Sequence, residues 1–164
     1  KSFITNNIQK YYIALVESGG NFSDTWTYLE QYMTRVKDKS YIHNEQTKES
    51  IKVIIAYKQL YIYNQFSLLI IKLITGKKHQ IRAQLSSLHT PIINDKKYGH
   101  RGLDKGIGNQ NYIYLHATSI SFKHPVQDKI MNIHAPPPEY FFNKINLSEK
   151  DLMDKVESII EENI

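Results

Sequence analysis

The sequence predicts an α+β fold, and three observations support this prediction. Residues 51–64 and 66–73 are rich in β-branched and aromatic side chains and are separated by a short turn, which favours an antiparallel hairpin. The alternation in the first of these runs is interrupted near residues 58–59. Residues 75–82 (TGKKHQIR) then change from a strand pattern to a helix pattern. A further amphipathic helix is expected over residues 148–163, so strands and helices both contribute to the fold.

The first half of the chain contains one more predicted strand and one uncertain stretch. A strand is expected over residues 11–16, before a glycine-containing turn at 18–21. Residues 22–50 are polar with scattered apolar positions and fit either a short helix or an excursion from the sheet. The helix that follows the 75–82 motif is expected over residues 78–88. A long connection with four glycines spans residues 89–111, and connections of this length often carry function.

The second half returns to strands before the last helix. Strands are expected over residues 112–122 and 129–134. Ser148 and Asp151 have the spacing of a capping box at the start of the helix. Its apolar face consists of Leu152, Val156, Ile159 and Ile160.

Composition limits the class of protein. With 164 residues and 41% hydrophobic side chains, the chain can bury one core, and we expect a single domain over residues 1–164. The absence of cysteine excludes disulfides and thiolate metal sites. No apolar run approaches the roughly 20 residues of a membrane helix, and no signal-peptide pattern is present. We therefore expect a soluble, cytoplasmic protein that does not bind membranes. We also expect a monomer without an obligate protein partner. The formal charge of +5 suits a polyanionic partner such as RNA, although many soluble proteins are mildly basic.

The 75–82 motif is the candidate site for an anionic ligand. Gly76 permits an unusual turn, and the first turn of the helix offers unpaired N–H groups and a positive dipole end. A nucleotide-binding P-loop is rejected because Ile71 stands where that motif needs glycine and Lys78 where it needs Ser or Thr. A metal site is also rejected, because no two of the seven histidines pair at helical spacing beside a carboxylate. We therefore expect no metal.

Several motifs occur in an order that resembles the RluA-like family of RNA pseudouridine synthases. They are Lys10-Tyr11-Tyr12-Ile13-Ala14, residues 75–82, Asp95 with Tyr98-Gly99, Leu115-His116-Ala117, His124-Pro125 and Ala135-Pro136. The resemblance covers about residues 3–140 and implies a mixed, largely antiparallel sheet with flanking helices and a cleft for RNA. It also implies isomerisation of uridine to pseudouridine without a metal or organic cofactor, with ribosomal RNA as the expected substrate.

The family's catalytic aspartate lies in a His-Arg-Leu-Asp motif, which this sequence does not contain. In the family that motif precedes the Lys-x-Tyr strand, here Lys10 to Tyr12, and residues 1–3 resemble the end of the intervening helix. We therefore expect the chain to be the C-terminal portion of a catalytic domain and to be inactive alone. The alternative is a non-catalytic RNA-binding module that uses the same cleft.

The resemblance assigns roles to individual residues. Arg82 would be the charge partner of the catalytic aspartate, and Tyr12 would stack on the flipped base and assist proton removal at C5. The competing interpretations are an ordinary surface arginine and a tyrosine of the core. The residues expected to bind RNA are Lys10, Lys77, Lys78, His79 and Gln80.

Some of these RNA contacts have alternatives. His79 and Gln80 could instead fix the turn by hydrogen bonds, and Lys77 and Lys78 could be a solvated pair. Lys77 also replaces the arginine that is usual in the family, which keeps the charge and loses bidentate geometry. His116 and His124 are expected to be structural.

Overall fold

The computed structural model describes residues 8–17, 22–99, 112–142 and 145–162. The strands in this part of the chain are β1 (Gln9–Glu17), β2 (Thr27–Val36), β3 (Lys39–His43), β4 (Ile51–Tyr63), β5 (Phe66–Leu73), β6 (Leu115–Lys123) and β7 (Ile130–His134). The helices are α1 (Gln80–Ser87) and α2 (Glu149–Glu161), with a short 3₁₀ helix at Glu139–Phe141. The predicted turn at 18–21, the resemblance of residues 1–3 to a helix end, and residues 100–111 of the long connection lie outside the described residues.

One sheet joins the seven described strands in the order β3-β2-β4-β5-β1-β6-β7. Every pairing between these strands is antiparallel, and with two helices the α+β prediction is confirmed. β1 is an interior strand, and its Tyr12 lies opposite Ile71 of β5 and Ala117 of β6. The pairing of β1 with β6 shifts at Tyr11/Tyr12, leaving Thr118 as the extra residue of a bulge. Bulges redirect neighbouring side chains, and this one lies beside a predicted site residue.

The predicted hairpin is confirmed as β4 and β5. Tyr63 pairs with Phe66, so the loop is the two residues 64–65, and Asn64 takes the left-handed conformation with φ 52°. Asparagine tolerates that conformation better than most residues. The expected interruption of β4 is a register shift between Gln59 and Tyr61. It places Leu60 in the core with 5% exposure.

The helix alternative for residues 22–50 is wrong, because this stretch forms the hairpin β2–β3. Its loop contains Lys37 in the left-handed conformation, with φ 54°. The alternation of polar and apolar residues expected for a strand is obscured in β2, because one of its buried positions is the polar residue Gln31. The Nε2 of Gln31 donates to Ser87 Oγ of α1 (3.1 Å). A hydrogen bond thus joins β2, the strand next to the sheet edge, to the helix that begins within the 75–82 motif.

Both helices bury their apolar faces in the core that also contains β1 and β5. In α2 the predicted face of Leu152, Val156, Ile159 and Ile160 is buried. Ser148 caps this helix, because its Oγ accepts a hydrogen bond from the Asp151 backbone N–H (3.1 Å). In α1 the buried apolar residues include Ile81 and Leu85. Neither described helix is long and apolar enough to cross a membrane.

Candidate active site

A buried glutamine fixes the turn between β5 and α1. The side chain of Gln80 is 1% exposed, and its Oε1 accepts hydrogen bonds from Thr75 Oγ1 (3.0 Å) and the Lys77 backbone N–H (3.1 Å). Its Nε2 donates to the carbonyl oxygen of Ile54 (3.1 Å) and to Gln84 Oε1 (3.0 Å). The side-chain amide of Gln80 thus forms its hydrogen bonds with other groups of the protein. Of the two interpretations given to Gln80, the geometry favours fixing the turn over direct contact with RNA.

His79 is the N-cap residue of α1 and has the left-handed conformation, with φ 60°. Its Nδ1 lies 3.2 Å from the hydroxyl of Tyr98, and the two rings meet edge to face at 5.7 Å. Burial has the largest effect on the pKa of His79 and lowers it, and the nearby charges of Arg82, Lys97 and Lys78 lower it further. The imidazole is therefore held toward its neutral form.

Arg82 makes a bidentate ion pair inside the chain. Its Nε lies 2.7 Å from Asp95 Oδ2 and its Nη2 lies 2.7 Å from Asp95 Oδ1. Asp95 is fully buried and also accepts a hydrogen bond from the Tyr98 backbone N–H (3.2 Å). The guanidinium carbon lies 5.0 Å from the centre of the Tyr98 ring. This pairing raises the pKa of Arg82, so its charge is permanent.

The ion pair changes how the predicted role of Arg82 must be understood. The interpretation as an ordinary surface arginine does not fit, because the side chain is 17% exposed and paired. Two of its nitrogens are nevertheless bound to Asp95, which the sequence interpretation did not anticipate. The two N–H groups of Nη1 and the second N–H of Nη2 have no hydrogen bond to the described residues. A further anion can bind to these groups without breaking the pair.

The chain that follows α1 carries Asp95 to this position by returning to the end of β1. Ile92 forms an isolated bridge with Val16, and the Ile93 backbone N–H donates to the carbonyl oxygen of Leu15 (2.9 Å). The backbone then turns, with the Asp95 N–H donating to the carbonyl oxygen of Ile92 (3.0 Å). The ion pair therefore joins α1 to a segment held against the central strand.

Five of the seven predicted site residues line one cavity of about 190 Å³: Tyr12, Lys77, His79, Gln80 and Arg82. Tyr12 also lines a neighbouring cavity of about 350 Å³, where it is accompanied by Lys10. Lys10 and Tyr12 are two residues apart on β1 and so share a face of the strand. Lys78 is exposed, and its carbonyl oxygen accepts a hydrogen bond from Ser40 Oγ (2.9 Å).

Tyr12 is half-buried and packs against the edge of the core, so the fold uses it structurally as well as placing it in the cavity. Its neighbour Tyr11 is fully buried, and burial raises its pKa. The two histidines expected to be structural are hydrogen-bonded. His116 Nε2 lies 3.1 Å from the carbonyl oxygen of Ala135, and His124 Nδ1 accepts from two backbone N–H groups of the following turn.

Asp95 and Tyr98 are the residues to which the sequence interpretation gave no role beyond membership of a motif. One signal pointed to a bidentate partner for Arg82, though not to Asp95 itself: Arg82 is one of three arginines in a lysine-rich chain, where a retained arginine favours a bidentate role. No comparable signal pointed to the Tyr98 hydroxyl.

Comparison with known proteins identifies the family. Residues 1–87 match the family model described as RNA pseudouridylate synthase. The chain belongs to the RluA-like family of RNA pseudouridine synthases. The chain is 35% identical over 156 residues to ribosomal large subunit pseudouridine synthase C of Buchnera aphidicola subsp. Schizaphis graminum, covering 89% of this chain and 47% of that protein. It is 30% identical over 148 residues to an uncharacterized RNA pseudouridine synthase of Mycoplasma genitalium, covering 90% of this chain and 46% of that protein. The chain thus spans about half the length of these curated relatives.

Solved structures of the family share the fold. Human RNA pseudouridylate synthase domain containing 1 superimposes with a TM-score of 0.60 at 20% identity, covering 80% of this chain and 55% of that structure. Human RNA pseudouridylate synthase domain containing 4 gives a TM-score of 0.62 at 17% identity, covering 86% of this chain and 63% of that structure. At these identities the likeness supports the fold assignment alone.

Proposed function

We propose that these 164 residues are a single domain that forms the C-terminal portion of a catalytic unit, and that this unit isomerises uridine to pseudouridine in ribosomal RNA. The observation that carries the proposal is the convergence of Tyr12, Arg82, Lys77 and His79 on one cavity in a chain of this family. The substrate class is supported by the name of a relative, ribosomal large subunit pseudouridine synthase C. The proposal includes a monomer in the cytoplasm, without an obligate protein partner or a cofactor.

In the proposed reaction the bond between N1 of uracil and the ribose breaks, the base rotates, and its C5 joins the ribose. C5 then loses its proton and N1 takes one up, so the product is an isomer of the substrate. An aspartate that starts this reaction must stay ionised in a partly desolvated cleft, where an unpaired carboxylate would become neutral. Arg82 supplies the compensating charge, through Nη1 and through the field of a guanidinium that Asp95 holds in place. The aspartate itself is not in this sequence, so the 164 residues alone should not turn over substrate.

Tyr12 is proposed to receive the flipped base. Extruding a base from a stack costs a few kcal/mol, and stacking on an aromatic ring returns about 1–3 kcal/mol per base. Tyr12 is half-buried in an interior strand, so it offers a ring whose position is fixed before the base arrives. Lys10, Lys77 and Lys78 would contact phosphates near the cavity.

Tritium release from RNA labelled at C5 of uridine tests the enzyme proposal. The full-length protein should release tritium from ribosomal RNA, and the 164-residue chain should release none while still binding RNA. If the full-length protein binds RNA and releases no tritium from any cellular RNA, the non-catalytic module is the correct alternative.

Arg82→Lys in the full-length protein tests the arginine. Lysine keeps the charge but cannot bind Asp95 through two nitrogens, so tritium release should fall by at least about 100-fold, as when an electrostatic donor is removed from an active site. The same variant should also be less stable to unfolding, because a lysine leaves Asp95 with only one of the two hydrogen bonds of the pair. Release within a few-fold of wild type, in protein shown to be folded, would contradict the role of Arg82.

A further inference from the structure

Tyr98 links the backbone of β3 to His79 by a directed chain of hydrogen bonds. The Ser40 backbone N–H donates to the Tyr98 hydroxyl oxygen at 2.8 Å. A backbone amide can only donate, so this contact uses the oxygen as acceptor and leaves the hydroxyl hydrogen free. Among the described residues, the other partner within hydrogen-bond distance of that hydroxyl is His79 Nδ1, at 3.2 Å.

The hydroxyl hydrogen therefore determines where His79 carries its proton. If Tyr98 donates to Nδ1, the neutral imidazole must carry its proton on Nε2. If instead Nδ1–H donated to Tyr98, the hydroxyl hydrogen would have no acceptor although Tyr98 is only 5% exposed. A buried donor without an acceptor is costly and uncommon in folded proteins. The Nε2–H tautomer satisfies every donor in the chain of bonds.

The charges around His79 also disfavour the doubly protonated ring. Arg82, Lys97 and Lys78 all act to lower the pKa of His79, whereas Asp95 acts to raise it and the attraction between His79 and Asp38 also opposes the three cations. Burial acts in the same direction as the three cations. Near neutral pH the His79 ring is thus uncharged, with Nε2–H as its donor and Nδ1 as its acceptor. Nδ1 already accepts the hydrogen bond from Tyr98.

We infer that His79 is held by Tyr98 and Ser40 as the Nε2–H tautomer and donates this N–H to an oxygen acceptor of the nucleotide in the cavity. His79 lines the cavity together with Tyr12 and Arg82. The residue is only partly buried and its Nε2 has no hydrogen bond to the described residues, so the donor is available to a ligand. The identity of the ligand as RNA rests on the proposed function, and the tautomer does not.

The oxygen has two sources in RNA: a carbonyl of uracil or a nonbridging oxygen of phosphate. A neutral N–H fits both, but it adds no charge to the site. If the acceptor is a carbonyl, His79 contributes to base selectivity, because a fixed donor rejects an amino group at the same place. Tyr98 and Ser40 are positioning residues in either case, since they act through His79.

Nitrogen NMR of protein labelled at histidine tests the tautomer in the 164-residue chain without RNA. At a pH where His79 is neutral, Nδ1 should resonate as an unprotonated nitrogen and Nε2 as a protonated one. Tyr98→Phe removes the hydroxyl and should mix the two tautomers. The matched control is Tyr41→Phe, which removes a hydroxyl from a half-exposed tyrosine of the same strand as Ser40. A protonated Nδ1 in the wild type, or no response to Tyr98→Phe, would overturn the inference.

Binding of oligouridylate tests the donor. His79→Gln places an amide N–H near the Nε2 position and should keep affinity within about twofold, whereas His79→Asn is too short and should lose roughly 3- to 10-fold, as for one neutral hydrogen bond. Asparagine also tolerates φ 60° well, so a loss in this variant is not explained by backbone strain. Equal losses in both variants, or no loss in either, would refute the donor role.

Modified RNA then identifies the oxygen. The penalty of His79→Asn should vanish with 4-thio- or 2-thiouridine if the acceptor is a carbonyl, and with methylphosphonate linkages if it is phosphate. A penalty that persists with all of these RNAs would refute the contact. These outcomes are distinct from failure of the proposed function. If the full-length protein modifies no RNA while His79 shows the expected tautomer, only the proposed enzymatic function is contradicted. Pseudouridine formation with a protonated Nδ1 defeats only the present inference.

Discussion

A fully buried carboxylate such as Asp95 is stable only if its charge and its oxygen lone pairs are compensated. Arg82 supplies the charge through two hydrogen bonds of 2.7 Å, and the Tyr98 backbone N–H supplies a third donor. Short bidentate bonds of this kind are among the stronger polar contacts in proteins. The pair connects α1 to the segment that returns to β1, so it organises the cavity as well as charging it.

Asp95→Asn should therefore destabilise the chain strongly. Asparagine is nearly isosteric but leaves the guanidinium without a counter-charge, and loss of one partner of a buried pair costs about 3–5 kcal/mol. Because the Arg82 side chain keeps 17% exposure, we expect a loss near the lower limit. Urea unfolding measures it. Asp38→Asn is the matched control, because Asp38 is exposed and pairs with Lys97 at the surface. Equal stability losses in the two variants would contradict the special position of Asp95.

His79 provides a residue-scale test of pH dependence. Its pKa is lower in the folded chain than the ordinary value of 6.5, so the unfolded chain binds more protons as pH falls below that value. Stability should therefore rise with pH through the window below 6.5 and level off above it. His79→Gln should reduce this slope, as seen in urea unfolding at a series of pH values. A slope that His79→Gln leaves unchanged or makes steeper across the window would contradict the environment described for His79.

At the scale of elements, α2 tests how a local sequence signal contributes to the fold. Ser148→Ala removes the oxygen that accepts the Asp151 N–H, and loss of such a cap costs about 1 kcal/mol. Ser158→Ala is the matched control, since Ser158 is exposed in the helix interior, where alanine is the better helix former. Urea unfolding should show a loss for the first variant and no loss for the second. Equal effects would mean that the cap does not stabilise α2.

The elements that the sequence predicted are those whose signals are local. The β4–β5 hairpin, α1 and α2 each combine periodicity with a turn or cap, and each is present within a few residues of its expected limits. β2 was missed because its inward positions include Gln31, which looks exposed by residue type. Its burial depends on hydrogen bonds between its side-chain amide and the side chains of Ser87 and Gln84. These two residues lie in a helix more than 50 residues away along the chain, so no local pattern encodes the contact.

The candidate site was predictable to a similar degree. The motif at residues 75–82 located the cavity, because the motif is itself the turn and first helical turn that form one wall. The partner of Arg82 was not predictable in the same way, since Asp95 reaches it through a return of the backbone to β1. The role of the Tyr98 hydroxyl depends on Ser40, which belongs to the unpredicted hairpin.

For the molecule as a whole, net charge would govern the first approach of the RNA that the proposed function requires. The formal charge of +5 attracts a polyanion over a distance set by screening, whereas the cavity acts only at short range. Lys77 is exposed and lines the cavity, and its neighbour Lys78 is also exposed, so in the proposed function these two lysines would serve both stages. Lys129 and Lys150 are also exposed, on the β6–β7 turn and on α2, and serve as a comparison of equal charge.

The affinity of this chain for single-stranded RNA should fall steeply with added salt, because bound lysines displace counterions from the phosphates. Replacing Lys77 and Lys78 by alanine should reduce the slope of log affinity against log salt by about 0.7 for each phosphate that the variant no longer neutralises. Replacing Lys129 and Lys150 changes the net charge equally and should leave the slope near the wild-type value. Fluorescence anisotropy with labelled oligouridylate at several salt concentrations measures both. If the two double variants change the slope equally, binding depends on overall charge, and the lysines beside the cavity have no particular role in holding RNA.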